Sequence, residues 1–467
     1  MPPRNLHAIL IACAISVICF STSQRVRRIG VLGDAIDLIN RFYIDPVDDT
    51  ELVDAAMRGL TSRLDPHSEF IPAELIPAFN DVIEQQFAGV GILVEQPVKG
   101  EPVRVITPMV GSPALAAGVQ AGDEIVGIAG EDVSQFEIRD ITNRLRGPVG
   151  SEVAIRVRRM VDNAPQRIEI RLARQSIMLD SVVGDHRDAD NRWVFRLEDQ
   201  PQIGYVRITS FGERTVDEFR QALDALREDY DSLILDVRGN SGGLLNAAVE
   251  VCDDLLGEGS IVIIKKRGGV IDRQFDAQPG TRVRNDAPIV VLIDGDSASA
   301  SEIVAACLQD HRRATVIGSR SFGKGTVQNV LPLQGGRSRL KLTTARYYRP
   351  SGLNIHRGEQ ASDEADWGVR PDEGLSVPLS DAEHEALLRH WQRVSYPVST
   401  AAIIATAPAP AEPVTTAEPD KNAAPSDTPP TRDRQLDRAI RFLGDPSERP
   451  EPQPEEAPAP EPVRQAA

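Results

Sequence analysis

Two short apolar runs constrain the architecture more than any other feature. Leu233-Ile234-Leu235-Asp236-Val237 and Ile289-Val290-Val291-Leu292-Ile293 show almost no polar alternation. A strand with one wet face alternates, so runs like these predict strands covered on both faces, in a mainly parallel sheet between helices. Small and polar residues follow each run. Arg238-Gly239-Asn240-Ser241-Gly242-Gly243 comes after the first and Asp296-Ser297-Ala298-Ser299-Ala300-Ser301 after the second. Helical patterns then run over Leu244–Leu256 and through Leu308. Gly204–Ile208 adds another strand and Val216–Leu226 an amphipathic helix. This βαβ rhythm predicts an α/β domain, bounded at 176–396.

The flanks read differently. In 25–85, Val31, Ala35, Ile36, Ile39 and Tyr43 recur at helical spacing, as do Leu52, Ala55, Ala56 and Leu60, and Leu64-Asp65-Pro66-His67-Ser68 reads as a turn. Residues 86–175 switch to short strands and glycine turns, with Ile138–Leu145 as a helix; this is a small β-rich module. Residues 397–430 are Pro/Ala-rich and read as a disordered linker, 431–445 as one helix with Leu436, Ala439, Ile440 and Leu443 on a stripe, and 446–467 as a disordered tail.

Residues 1–24 read as a targeting segment. Arg4 precedes an apolar stretch, 8–20, and then Ser21-Thr22-Ser23. The stretch is shorter than the ~20 residues that span a bilayer, which fits a signal peptide. Retention as a membrane anchor through 8–20 stays open, as does lipidation at Cys13. The expectation is an exported protein, periplasmic or anchored facing outside the cytoplasm. A formal net charge of −17 argues against nucleic-acid binding. Cys252 and Cys307 lie in apolar helical patterns, where buried free thiols are expected. No Cys/His spacing suggests a metal, and no cofactor is expected.

Serines between a buried strand and a helix start are well placed for a nucleophile. Lys324, in the glycine-flanked turn Ser321-Phe322-Gly323-Lys324-Gly325-Thr326-Val327-Gln328, is a candidate base. Ser-Lys pairs replace histidine in some serine hydrolases. The lysine must first lose its proton, which burial favours; Phe322 and Val327 are expected to supply an apolar wall. Ser299 at a helix N-terminus would also place amides near a developing oxyanion. By local rules alone, Ser299-Ala300-Ser301-Glu302 reads first as a capping box, unless Ser297 or Asp296 caps instead. Gly318–Gly325 nearly matches a P-loop, but Gly325 stands where Ser or Thr would hold Mg²⁺ and a strand follows. Ser321-Phe322-Gly323-Lys324 fits S-x-x-K without that motif's S-D-N and K-T-G partners. Gly242 and Gly243 could offer an amide to a substrate oxygen, or simply form a tight turn. Gly89-Val90-Gly91-Ile92 enters a strand with amides able to capture a peptide carboxylate.

In order, these segments resemble the C-terminal processing peptidases, tail-specific serine peptidases of the S41 type with an embedded PDZ domain. The resemblance runs from about residue 30 to 378 and resumes at 433–443. Leu64–Ser68 resembles a family signature, 86–175 the PDZ domain, and 176–396 a ClpP/crotonase-like peptidase core. It implies Ser299 as nucleophile, Lys324 as general base, Gln328 as the residue orienting that lysine and Glu302 as support. It also implies Gly242 or Gly243 with Ala300 as oxyanion hole, and Gly89, Val90, Gly91 and Ile92 as the carboxylate site. Thr343–Tyr348 and Gly368–Asp372 match later family segments. The implied partners are unstructured C-terminal tails of substrate proteins, with an adaptor or regulatory protein and the oligomeric state left open. An inactive PDZ-carrying scaffold on the same fold is the alternative. The separation of 431–445 from the core leaves open whether that helix docks.

Overall fold

The computed structural model describes residues 30–395 and 433–445, apart from 97, 99, 162, 163, 228, 359, 360 and 363. The expected targeting segment 1–24, linker 397–430 and tail 446–467 therefore lie outside the described residues. Among the described residues no helix is long and apolar enough to cross a membrane. The described residues divide into two compact units, one of those up to 76 with 328–344, the other of 77–327 with those from 345 on.

In the first unit, residues 30–42 are helical, and Asp49–Thr61 is a helix capped by Asp48, whose carboxylate accepts the Thr50 N–H. The helical reading of 25–85 is interrupted by a strand, Glu69–Ile71, paired antiparallel with Arg339–Lys341. Phe70 and Ile71 favour a pleated surface, and Pro72 disfavours the helical region for the residue before it. Asp65 closes the turn ahead of this strand by accepting the amides of His67 and Ser68 and the Ser68 hydroxyl.

The second unit contains both the β-rich module and the α/β domain. The module's sheet runs in the order Ile92–Glu95, Val103–Pro108, Glu124–Ile128, Glu152–Val161, Ala164–Ala173, with antiparallel neighbours. The last two strands are longer than the short strands expected there. Period two buries Val153, Ile155 and Val157 on one face, against Val103, Ile125, Ile141 and Leu172. A separate pair, Gln86–Gly89 with Gln175–Met178, joins the module's two ends.

The α/β sheet has the order Val182–Val183, Ile203–Ile208, Ser232–Asp236, Ile289–Ile293, Ala314–Gly318. All pairings are parallel except that of the first edge strand. Every residue of the three central strands is buried, as the two apolar runs demand. On one face Val206, Leu233, Leu235 and Val291 pack with helices Thr215–Leu226, Leu245–Leu255 and Ala300–Asp310. Cys252 and Cys307 are buried free thiols in this layer. On the other face Tyr205, Ile234, Val290 and Leu292 pack with Ala439, Phe442 and Leu443 of helix Arg434–Gly444. The C-terminal helix thus docks, and it completes the burial of the sheet.

A buried ion cluster locks that helix in place. Arg238, with no exposed surface, holds Asp236 through its Nε and one terminal nitrogen, at 2.9 and 2.6 Å. It holds both carboxylate oxygens of Asp433 at 2.9 Å. Gln435 joins Arg238 to the Val377 carbonyl, and the Tyr205 hydroxyl donates to Asp236. Burial pushes the Asp433 carboxyl up, but Arg238 and the helix amides outweigh it and hold it below its ordinary value. Stability from this contact is therefore present above the unfolded Asp value of about 3.9 and lost as pH falls through the lower folded value. Asp433→Ala should cost on the order of 3 kcal/mol and speed amide exchange across 434–444. Unchanged exchange there would show that apolar packing alone holds the helix.

Candidate active site

The two turns that follow the apolar strands lie against one another. Ala298 N–H and the Ser301 hydroxyl both donate to the Asn240 carbonyl, at 3.0 and 2.8 Å. The Ser297 hydroxyl donates to the Val237 carbonyl at 2.9 Å. Asp294 accepts the amides of Gly239, Asp296 and Ser297. Adjacent parallel strands with turns at the same end make this meeting possible. Ser297 and Ser301 are therefore tethers, each with its hydroxyl committed to a main-chain oxygen.

Ser299 differs from both. Its backbone sits at φ +56°, ψ −110°, a conformation L residues rarely adopt and one that clusters at functional sites. Helix Ala300–Asp310 begins immediately after it. Burial pushes the Tyr347 phenol up to about 12, against a smaller opposing influence from the Ser299 side chain, so the phenol stays protonated.

Glu302, with no exposed surface, joins the serine segment to the lysine segment. Its Oε2 accepts the amides of Ser299 and Lys324, both at 2.8 Å. Its Oε1 accepts the Ser321 hydroxyl at 2.6 Å and the Gly323 amide at 2.7 Å. The Ser321 oxygen in turn accepts the Val369 amide at 2.7 Å. The glutamate arm of the expected capping box is real, but the same carboxylate also anchors the Lys324 turn. Burial raises the Glu302 carboxyl above its ordinary value, against these four hydrogen bonds. All four partners are donors, which suits the ionised form.

Lys324 is half-buried. Of its expected apolar wall, Val327 is buried but Phe322 is 51% exposed. Phe322 is flanked by residues whose groups Glu302 holds inward, which leaves its own side chain toward solvent. In the first unit, Gln328 lies on strand Thr326–Leu333 and donates to the Thr343 hydroxyl at 3.3 Å. Thr343 donates to Asp65, so the Leu64–Ser68 turn and Gln328 share one network.

The oxyanion expectation needs one correction. The Gly242 N–H donates to Asn240 Oδ1 at 2.8 Å, so it is not available to a substrate. The glycine is needed for contact instead, since a Cβ there would lie 2.7 Å from the Ala298 carbonyl and 2.8 Å from Ser299 Cβ. Among the described residues the amides of Gly243 and Ala300 have no acceptor.

In the β-rich module, Gly89 is in the strand paired with Gln175. The amides of Val90 and Gly91 have no acceptor among the described residues. Ile92–Glu95 is an edge strand. Gln96 holds helix Ile138–Leu145 beside the strand's end, accepting the Ile138 N–H at 3.0 Å and donating to the Phe136 carbonyl at 2.8 Å. An unpaired strand edge with two amides lacking an acceptor beside it is the arrangement by which an extended peptide adds as a further strand.

Residue-level reading of the sequence passed over Asn240, Ser321 and Tyr347. Each lay inside a quoted segment without being given the role seen here, because that role depends on partners distant in the chain.

A model described as peptidase family S41 matches residues 202–374, and a PDZ domain model matches 104–159. The carboxy-terminal-processing protease of Bartonella bacilliformis is 35% identical over 381 residues, spanning 80% of this chain and 81% of its own. The chain belongs to peptidase family S41. The carboxy-terminal processing protease CtpB of Bacillus subtilis is 30% identical over 347 residues, 74% of this chain and 69% of its own. A solved structure, the photosystem II D1 C-terminal processing protease, covers 79% of this chain and 97% of its own at 28% identity and a TM-score of 0.42. The peptidase thus carries a PDZ domain within its β-rich module and an S41 domain built on the α/β sheet.

Proposed function

We propose that the peptidase is a serine endopeptidase that engages unstructured C-terminal tails through its PDZ domain and cleaves them by a Ser-Lys mechanism. The observation that carries the proposal is the Glu302 Oε2 atom, which accepts the amides of both Ser299 and Lys324 at 2.8 Å. One buried carboxylate thereby binds together two segments distant in sequence, the two whose residues the chemistry requires.

In this mechanism neutral Lys324 takes the Ser299 proton as Oγ attacks the peptide carbonyl. The oxyanion is met by the amides of Gly243 and Ala300. Lys324 then passes its proton to the departing amine, and water hydrolyses the acyl-enzyme by the same route. Gln328 orients the lysine. The tail adds as a strand along Ile92–Glu95, with its carboxylate on the amides of the 89–92 turn. The pattern of residues 1–24 supports action outside the cytoplasm.

The test is an unstructured peptide with an apolar C-terminal residue, offered with a free or an amidated C-terminus. The free-acid peptide should be cleaved at least about tenfold more efficiently, because amidation removes the charge the loop amides would bind. A phosphonylating reagent should label Ser299, as read by peptide mass. Tail binding without cleavage or labelling would favour a scaffold, and equal cleavage of both peptides would reject carboxylate capture.

A further inference from the structure

Two strands tether the PDZ domain to the peptidase sheet, entering past Gln85 and leaving past Leu179. They pair antiparallel with each other, and the Leu179 N–H donating to the Gln85 carbonyl at 2.9 Å extends that ladder. The Gln85 side chain belongs to neither strand. Its residue is 4% exposed and sits at φ +53°, so the chain turns sharply there and sends the carboxamide into loop 209–215 of the peptidase domain. Nε2 donates to the Ser210 hydroxyl at 3.0 Å and to the Thr215 hydroxyl at 3.3 Å. A Cβ on Gly212 would collide with the Gln85 side chain, so the loop is moulded around it. The Gly212 N–H donating to Thr215 Oγ1 at 2.8 Å, and Thr215 donating to the Ser210 carbonyl at 3.1 Å, close the loop on the glutamine.

Phe211 stands between those contacts, and its main chain faces the oxyanion turn. Its N–H donates to the Gly242 carbonyl at 3.0 Å, and its carbonyl accepts the Leu244 N–H at 2.6 Å. The two bonds bracket Gly243, and a Cβ on Gly243 would collide with the Phe211 carbonyl. The peptide planes on either side of Gly243 are therefore set by Phe211, and Phe211 is held by a loop built on Gln85. Gln85 Oε1 is itself buried with no donor in reach among the described residues. Buried polar atoms are ordinarily paired, so a glutamine kept here at that cost is kept for its donor and its shape.

We infer that Gln85 is a positioning residue for the oxyanion turn, holding the Gly243 amide in the orientation that receives the tetrahedral oxyanion. The inference rests on the proposed role of Gly243 and Ala300 as oxyanion donors. Through Gln85 that orientation depends on a residue at the root of the PDZ domain, far from Gly243 in sequence.

The experiment compares the full chain with Gln85→Met, which fills similar space without the N–H donors, and with Gly212→Ala, which displaces the glutamine from the other side. On a short quenched peptide, kcat should fall about tenfold in each, a fraction of the 10²–10³ lost with an entire oxyanion donor, with KM within about twofold. Affinity for a peptide boronic acid, which presents a tetrahedral oxyanion, should fall in parallel with kcat. PDZ binding of a tail peptide should not change. Hydrogen exchange of the 240–244 turn should accelerate in both variants whether or not the enzyme turns over. Unchanged exchange and unchanged kcat in a folded Gln85→Met protein would overturn the inference, as would a kcat loss without the boronic-acid loss. If parent turnover does not depend on Ser299, the proposed function fails, and the exchange measurement still decides whether Gln85 holds the turn.

Discussion

Ser299→Ala and Lys324→Ala should each lower cleavage by a factor on the order of 10⁴ or more, the scale seen when a nucleophile or its base is removed. Neither change should unfold the protein. Ser299 lies at a strained backbone position with a 5% exposed side chain, and alanine removes only a hydroxyl. Lys324 contributes its backbone amide to the Glu302 cluster, and alanine keeps that amide. Both variants should therefore keep their thermal midpoint within a few degrees, and PDZ binding of a tail peptide should persist. Ser297→Ala and Ser301→Ala provide the contrast. Their hydroxyls tie the two turns together, so they should lose stability by about 1 kcal/mol each and retain the ability to label at Ser299. Full activity in Ser299→Ala or Lys324→Ala, measured on a purified tail substrate, would sink the mechanism.

Glu302→Ala should be damaging in a different way. It strands three amides and one hydroxyl that converge on a site with no exposed surface. A buried donor left unpaired costs roughly 1–3 kcal/mol. Some of these would find water in the space the side chain vacates, so a loss of about 4 kcal/mol in stability is expected. Activity should fall about 10³-fold, since the serine and lysine turns lose the atom that joins them and misplacement by 1 Å can cost 10²-fold. Glu302→Gln separates the two effects. It keeps the volume but replaces one accepting oxygen with an amino group that faces donors, so stability should suffer less than in the alanine variant while kcat still drops at least tenfold. Denaturant unfolding combined with kcat on one short peptide reads both quantities. A Glu302→Gln protein with parental kcat would mean that the staple is structural only.

Much of the fold was legible because its signals are local. The continuous apolar runs predicted strands covered on both faces, and period two in 153–157 predicted a half-buried strand. Strand Glu69–Ile71 was less visible, being three residues long and stabilised by a partner more than 260 positions away. The site was legible to a different degree. Ser297, Ser299 and Ser301 have nearly the same local surroundings, and Ser299-Ala300-Ser301-Glu302 satisfies a capping rule whether or not it carries chemistry. Family resemblance singled out Ser299, but composition and spacing could not. Gly242 and Gly243 are equivalent by the same local rules. The Asn240 side chain, placed by strand geometry, occupies one amide and leaves the other.

The sequence by itself determined the order of the parts: a helical lead, a β-rich module, a parallel α/β domain, and a late apolar-striped helix. Hydrophobic periodicity and turn chemistry act over a few residues, so they can be read without knowing the fold. Only the tertiary structure decided which groups around Ser299, the Lys324 turn and the Gly242-Gly243 turn are already taken up by hydrogen bonds. The partners that take them up are Glu302, Asn240 and Phe211, and which groups they meet depends on strands and turns brought together from distant parts of the chain.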